Sequence, residues 1–349
     1  MSWSSTLQQA WLRRGLLALA LLPLAAVFAL LSAMRRALYR LHILNARSLP
    51  VPVIVVGNLI AGGAGKTPTV IAIAQLLRHH GYTPGIVSRG HGRRGGGERL
   101  EVSAPTNAAD CGDEPKLLSL RTRAPVFVGR DRHAAAQALL ERHPEVDVIV
   151  SDDGLQHLAL ARDIQVIVFD ERGLGNGWLL PAGPLREPFS AAVPARSLVL
   201  YNAPRASTPW PGSLGVGALA GVASLQAWQH GEAPSLAQLK QLKGRPLLAA
   251  AGIANPQRFF ELLRQHGLAI ESLPLPDHHA YATLPWPAST GDVLVTEKDA
   301  VKLDPARIGA TRVWVAALDF HTSPSFERAL ISMLRRARLR GAPHGSSIA

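Results

Sequence analysis

Lys66 and Thr67 follow a glycine-rich turn, Gly62-Gly63-Ala64-Gly65, and precede Pro68. Glycines let backbone N–H groups converge on phosphate oxygens, a lysine reaches the terminal phosphates, and an adjacent hydroxyl ligates Mg²⁺. Gly62, Gly63, Ala64, Gly65, Lys66, Thr67 and Pro68 are therefore the expected contacts of a nucleoside triphosphate, with Thr67 on the metal. The general pattern G-x-x-x-x-G-K-[ST] wants its first glycine at position 60, which here is Ile60. A second constellation, VDVIVSDDGLQH, sets Asp152 and Asp153 where a strand should end, with Gln156 and His157 beside them. That is the place for a Walker-B pair holding Mg²⁺ directly or through water. A helix N-cap would account for only one of the two aspartates.

Four further groups carry chemistry less decisively. In CGDEPKLL, Asp113 and Glu114 precede an apolar helical run, and spacing alone favours a cap with an acidic first turn. SRGHGRRGGGER, residues 88–99, combines arginines and glycines in a loop that suits phosphate or an anionic headgroup, and equally a plain basic loop. PDHHAYA puts His278 and His279 in a loop, a poor metal signal without spaced partners, and VTEKDAVKL places Thr296, Glu297, Lys298 and Asp299 just beyond a strand. A guanine reader is missing: the nearest string, Val301-Lys302-Leu303-Asp304, lacks the leading Asn or Thr. A GTPase is disfavoured.

These residues need elements to hold them. The run Val53–Val56 feeds the glycine turn, and IAIAQLLRHH continues it as a helix. Further short β-branched runs lie at 84–88, 125–129, 146–151, 164–169 and 197–201, with a helical pattern at 130–143 between two of them. Continuously apolar strands alternating with helices predict a doubly wound parallel sheet. Between 203 and 228 the texture turns to Pro, Gly, Ser and Ala, a junction with extended segments near 213–228. A second, smaller α/β domain follows, with strands at 246–251, 270–275, 292–296 and 312–317 and helices at 256–267 and 323–340. The expected partition is 1–48 for a membrane helix and linker, 49–205 for the nucleotide domain, and 206–228 for the interdomain linker. Residues 229–340 then form the C-terminal domain and 341–349 a disordered tail.

With 349 residues, 47% hydrophobic, the chain can bury a sizeable core. Its one cysteine, Cys111, excludes a disulfide framework and a cysteine zinc site. The net charge of +12 points to anionic partners, while scarce aromatics speak against nucleic acid. From Gly15 to Met34 no residue is charged, and at about 1.5 Å per residue the run spans roughly 30 Å, one hydrocarbon core. Arg13-Arg14 precede it and Arg35, Arg36, Arg40 and Arg47 follow it, so the rest of the chain should stay on the cytoplasmic side. A cleaved signal peptide is the rival, but no small-residue cleavage site precedes Arg35-Arg36.

The ordered set GNLIAGGAGKTP, SRGHGR, GDEPKLL, DDGLQH, LPAGPLREP, PDHHAY and TEKDAVKL resembles the tetraacyldisaccharide 4′-kinase family, the lipid A 4′-kinases of Gram-negative bacteria. The likeness covers about residues 10 to 335. Ile60 is shared with that family, whereas His91 stands where it often has an aromatic residue. The resemblance implies a two-lobed P-loop kinase at the cytoplasmic face of the inner membrane, a monomer using ATP and Mg²⁺. Its implied reaction moves the γ-phosphate onto the 4′-hydroxyl of a lipid A disaccharide precursor. It also implies Asp113 as the base, paired with His278 from the other lobe, with Lys66 catalytic. Metal support is implied from Thr67, Asp152, Asp153, Gln156 and Glu187. An ATP-driven switch, or a phosphotransferase for soluble sugars or nucleotides, remains the alternative; the apolar helix argues against the latter.

Overall fold

The computed structural model describes residue 7, residues 9–94 and residues 99–341. The expected tail lies outside the described residues apart from Gly341, as do residues 95–98 of the arginine–glycine loop. The strands in chain order are β1 (Val53–Gly57), β2 (Pro84–Ser88), β3 (Leu100–Glu101), β4 (Val126–Val128), β5 (Val148–Asp152) and β6 (Ile164–Asp170). They continue with β7 (Ser197–Asn202), β8 (Ser213–Ser224), β9 (Leu247–Ala251), β10 (Ile270–Pro274), β11 (Asp292–Thr296) and β12 (Arg312–Thr322).

Contacts divide the chain into two compact units, and the division is not linear. One comprises Met1–Arg89, Asp131–Val216 and His321–Ala349; the other comprises Gly90–Arg130 and Gly217–Phe320. The linear partition expected from composition thus separates from the second unit a segment, 90–130, that packs within it. Composition registers the proline- and glycine-rich junction but cannot register a segment whose partners lie far along the chain. The stretch expected as a linker, 206–228, carries the long strand β8 and opens the helix Leu225–Gln229.

In the first unit β7, β6, β1, β5 and β2 lie side by side in that order, all parallel. β1 and β5 are buried at every position, which is why they read as unbroken apolar runs. The chain leaves β1 toward β2 on one flank and returns to β6 and β7 on the other. The carboxyl ends of β1 and β5 therefore frame the crevice where open α/β sheets bind ligands. From β1 the turn enters the helix Lys66–His79, which buries Val70, Ile73, Ala74 and Leu77 at helical spacing.

The apolar run near the N-terminus forms two helices, Leu16–Ala20 and Leu22–Arg40. Pro23 falls in the first turn of the second helix, where its missing N–H costs nothing, so it starts a helix rather than kinking one. By length and composition that helix is apolar enough to cross a membrane, with 6% of the 18-residue window buried. Leu24, Val27, Leu30, Leu31 and Met34 are all more than half exposed. Just before this run the chain is pinned: Trp11 Nε1 donates to the Pro181 carbonyl at 2.9 Å and Arg14 Nε to that of Asn176 at 3.0 Å.

In the second unit β10, β9, β11 and β12 form a parallel group in that order. The helix Pro256–Gln265 buries Phe259, Phe260 and Leu263 against a core that includes Ala249, Ala251 and Leu294. A buried ion pair ties the 90–130 segment to this group. Arg121 Nη1 donates to Glu297 Oε1 at 2.5 Å and its Nη2 to Asp319 Oδ1 at 2.6 Å. Glu297 also accepts from Trp228 Nε1 at 3.1 Å and from the Leu318 amide at 3.2 Å.

Removing Glu297 leaves Arg121 to Asp319 alone and takes the acceptor from the Trp228 indole and the Leu318 amide. Glu297→Ala is expected to cost about 3–5 kcal/mol. The double replacement Arg121→Met/Glu297→Leu should recover only part of that loss, since the Trp228 indole and the Leu318 amide still lack their acceptor, as urea unfolding midpoints of the two variants and the parent will read out.

Candidate active site

The phosphate loop is fixed by hydrogen bonds to its carbonyls. Asn58 Nδ2 donates to the Gly62 carbonyl at 3.1 Å. Arg172 Nη2 donates to that of Gly63 at 2.8 Å, while its Nε rests on Asp170 at 2.9 Å. Gly65 sits at φ +82°, and a Cβ there would lie 2.1 Å from Asn202 Nδ2, so both backbone and space demand glycine. Position 60 shows why a glycine is dispensable there. Ile60 is fully buried and bridges Leu185, and beside it the Ala61 amide donates to Pro184 and the Arg186 amide to Leu59, both at 2.7 Å. This pairing carries the PLREP stretch, and with it Arg186 and Glu187, alongside the phosphate loop.

Lys66 Nζ lies 3.3 Å from Asn58 Oδ1 and 3.7 Å from Asp153 Oδ1. Asp152 ends β5 and its Oδ2 accepts from Ser88 Oγ at 3.1 Å. Asp153 follows at φ +47°, its carboxylate held by Arg186 Nη1 at 2.9 Å and its carbonyl by Arg132 Nη2 at 2.8 Å. Neither aspartate caps a helix. Burial pushes the Asp153 carboxyl up, but Lys66, Arg186 and Arg132 outweigh it and hold it below the usual carboxylate range. Gln156 Nε2 donates to Glu187 Oε1 at 2.9 Å. Thr67, half-buried, opens the helix after the loop. Among the described residues no group of three His, Cys, Asp or Glu could enclose a metal. Mg²⁺ in a phosphoryl-transfer site does not ask for one, because one or two carboxylates, a hydroxyl and the nucleotide's own oxygens complete its shell. The Thr67 hydroxyl and the Asp152–Asp153 pair fit that requirement.

Asp113 and His278 lie within the other unit. The helix Asp113–Thr122 begins with Gly112 as its cap and no side-chain capping bond, so Asp113 is not spent on the helix. Its Oδ2 meets His278 Nδ1 at 3.1 Å and Lys302 Nζ at 3.7 Å, and among the described residues neither contact involves Oδ1. The expectation that His278 would come from a different lobe is corrected here, since residues 90–130 and 217–320 form one unit. His278 adopts φ +60°, a costly conformation held by its amide's bonds to Asp277 Oδ1 at 3.0 Å and the Gly252 carbonyl at 3.2 Å. A Cβ on Gly252 would crowd Asp299 Oδ1 at 2.9 Å and His279 Cβ at 3.1 Å, so glycine lets the PDHH loop close on β9. The His91 ring approaches His278 edge-on, with centroids 6.2 Å apart.

Sequence reasoning missed several of these residues. Arg172 and Arg186 follow strand ends or motif stretches, but neither stands in a phosphate-loop pattern. Arg132 is 6% exposed, and no spacing rule predicts a buried arginine. Asn58, directly after β1, carried the available signal: a polar residue at the carboxyl end of a central strand. His157, which the sequence did place near the paired aspartates, has its Nε2 buried with no hydrogen-bond partner among the described residues.

Burial first, then the cations Arg132, Arg162 and Arg35, bring the His157 imidazole down to about 4 against an opposing Asp131. A histidine lowered in the folded state stabilises above its unfolded value near 6.5 and loses that contribution as pH falls toward 4. Unfolding free energy should therefore drop more steeply between pH 6.5 and 4 for the parent than for His157→Gln, measured in parallel urea titrations.

A family model described as tetraacyldisaccharide-1-P 4′-kinase matches residues 17–335. The tetraacyldisaccharide 4′-kinase of Methylibium petroleiphilum is 58% identical over 335 residues, covering 94% of this chain and 93% of that one. The enzyme of the same name from Leptothrix cholodnii is 55% identical over 340 residues, covering 96% and 97%. Among solved structures, LpxK from Aquifex aeolicus, crystallised in complex with ATP, superposes with a TM-score of 0.75 at 27% identity, covering 92% of this chain and 99% of that one. With the family model spanning most of the chain and both relatives matching nearly end to end, this chain belongs to the tetraacyldisaccharide 4′-kinase family.

Proposed function

We propose that the protein transfers the γ-phosphoryl group of ATP to the 4′-hydroxyl of a tetraacyldisaccharide 1-phosphate, forming lipid IVA in lipid A biosynthesis. The observation that carries this reading is the 3.1 Å contact between Asp113 and His278, in a chain whose relatives are named for phosphorylating this acceptor. The pair argues against a nucleotide switch that only hydrolyses ATP. The loop amides and Lys66 seat the triphosphate. Asp113 accepts the proton of the acceptor hydroxyl as its oxygen bonds the γ-phosphorus and the bond to the bridging oxygen of ADP breaks. His278 holds and polarises the carboxylate at Oδ2. Thr67 and Asp152 or Asp153 would hold Mg²⁺, which would supply charge neutralisation at the phosphate oxygens, and Gln156 and Glu187 would support that side. One chain provides the loop and the pair, which suits a monomer.

Lys66→Ala should abolish transfer, and near-normal turnover in that variant would remove the kinase reading. Asp113→Asn should lower kcat by roughly 10²–10⁴ while leaving stability and ATP affinity intact. His278→Ala should be comparably deficient, and the double variant should lose much less than the product of the two effects, as residues acting as a unit do. Kinetics with Mg-ATP and a panel of detergent-dispersed lipid A precursors supplies all these numbers.

We also place the protein at the cytoplasmic face of the inner membrane, supported by the exposed apolar helix Leu22–Arg40 and the arginines at its C-terminal end. It should sediment with membranes and resist extraction by high salt. Release by salt alone would make the attachment electrostatic and the helix interfacial.

A further inference from the structure

His278 Nε2, the ring nitrogen opposite Asp113, lies 3.2 Å from Lys298 Nζ. An ammonium has three donors and no acceptor, so this contact exists only if Nε2 presents a lone pair. The ring proton of a neutral His278 then sits on Nδ1, where it is donated to Asp113 Oδ2. Which nitrogen of a histidine carries the proton is set by what the other nitrogen meets. Here the nearest group at Nε2 is a donor, with the Asp277 carboxylate farther off at 4.0 Å, and the group at Nδ1 is an acceptor.

The surroundings of Lys298 hold it to this task. Its Nζ lies 3.5 Å from Glu114 Oε1 and 3.5 Å from Asp277 Oδ1, so its three donors face three acceptors. Its side chain is 19% exposed, against 42% for His278. Glu114 follows Asp113 in GDEP, and Asp277 precedes His278 in PDHH. Each motif thus sends one residue to the pair and its neighbour to Lys298. The groups facing His278 are Asp113, Asp277, Lys298 and the His91 ring, with Lys302 reaching the same Asp113 oxygen.

We propose that Lys298 is a positioning residue that fixes His278 as its Nδ1–H tautomer from the side opposite Asp113. This rests on the Asp113–His278 pair being the proton-accepting machinery. With the proton on Nδ1, the ring holds Asp113 Oδ2 and leaves Oδ1 to the acceptor hydroxyl. With the proton on Nε2, a ring lone pair would face a carboxylate oxygen 3.1 Å away, and the pair would open.

The test is side-chain ¹H–¹⁵N spectroscopy of ¹⁵N-histidine-labelled full-length protein in detergent, the His278 signals being assigned by their loss in His278→Gln. The parent should show a protonated Nδ1 and an unprotonated Nε2. Asp113→Ala should keep that pattern because Lys298 still donates to Nε2, whereas Asp113→Ala/Lys298→Met should change to Nε2–H. An Nε2–H ring in the parent, or a change to Nε2–H in Asp113→Ala with Lys298 in place, overturns the proposal. In turnover, Lys298→Met should lose roughly 10- to 100-fold in kcat at unchanged KM for ATP, the size typical of groups that orient a reacting side chain, and Lys298→Arg should restore part of it. Full activity in Lys298→Met would remove the positioning role. Failure of the pair itself reads differently: Asp113→Asn and His278→Ala would then stay active whatever the tautomer.

Discussion

One buried carboxylate organises the second unit. Asp299 is fully buried, and such a group survives in an interior only if its oxygens are satisfied. Its Oδ2 accepts from the Gly252 amide at 3.0 Å and from Thr296 Oγ1 at 2.6 Å, and its Oδ1 from Lys302 Nζ at 3.1 Å. Those donors come from the end of β9, the end of β11 and the turn beyond it. Gly252 in turn accepts the amide of His278, and Lys302 reaches Asp113. The TEKDAVK stretch is thus a junction through which two strand ends and two loops are held in register. Thr296 caps the short helix that points Lys298 toward His278.

The first unit solves a related problem with the sign of the charges reversed in number. Asp153 is one carboxylate among Lys66, Arg186 and Arg132, so cationic charge is in excess around it. An excess of positive charge beside an open set of loop amides is what a triphosphate would neutralise. The glycines alone do not make the cradle. Asn58 and Arg172 occupy the loop's carbonyls, and the bridge from Ile60 to Leu185 anchors its start. A glycine at position 60 would remove a fully buried side chain from that bridge.

Much of this was legible in the sequence, for a physical reason. Strands buried on both faces must be continuously apolar, so β1, β2, β5 and β11 read within a residue or two of their observed ends. Local chemistry was equally legible: Gly-Lys-Thr after a strand, and paired aspartates at another strand end. Three things were not. Asp113 looked like a cap because a carboxylate before a helix usually is one, and its partners His278 and Lys302 lie far along the chain, His278 165 residues away. Arg132, Arg172 and Arg186 act through long-range contacts that leave no local period. The 90–130 segment lies between strands of the nucleotide fold in the chain and belongs by contact to the other unit.

That last feature bears on how a general nucleotide fold acquires an acceptor. The phosphate loop and the paired aspartates are parts shared by many NTPases, and they say nothing about what receives the phosphate. The residue proposed to receive the acceptor's proton is not carried by the nucleotide sheet. It stands on a segment that leaves that sheet after β2 and returns at the helix Arg132–Arg142, and whose fixed points are Glu297, Asp319, His278 and Lys302. The buried Arg121–Glu297 pair fastens one end of the Asp113 helix, and the contacts of Asp113 fasten the other. The geometry of Asp113 and His278 is therefore internal to a single unit, made of fixed backbone and buried charge. Acceptor chemistry and nucleotide chemistry can then be tuned by separate sets of residues, which is how a fold common to many activities can serve one particular hydroxyl.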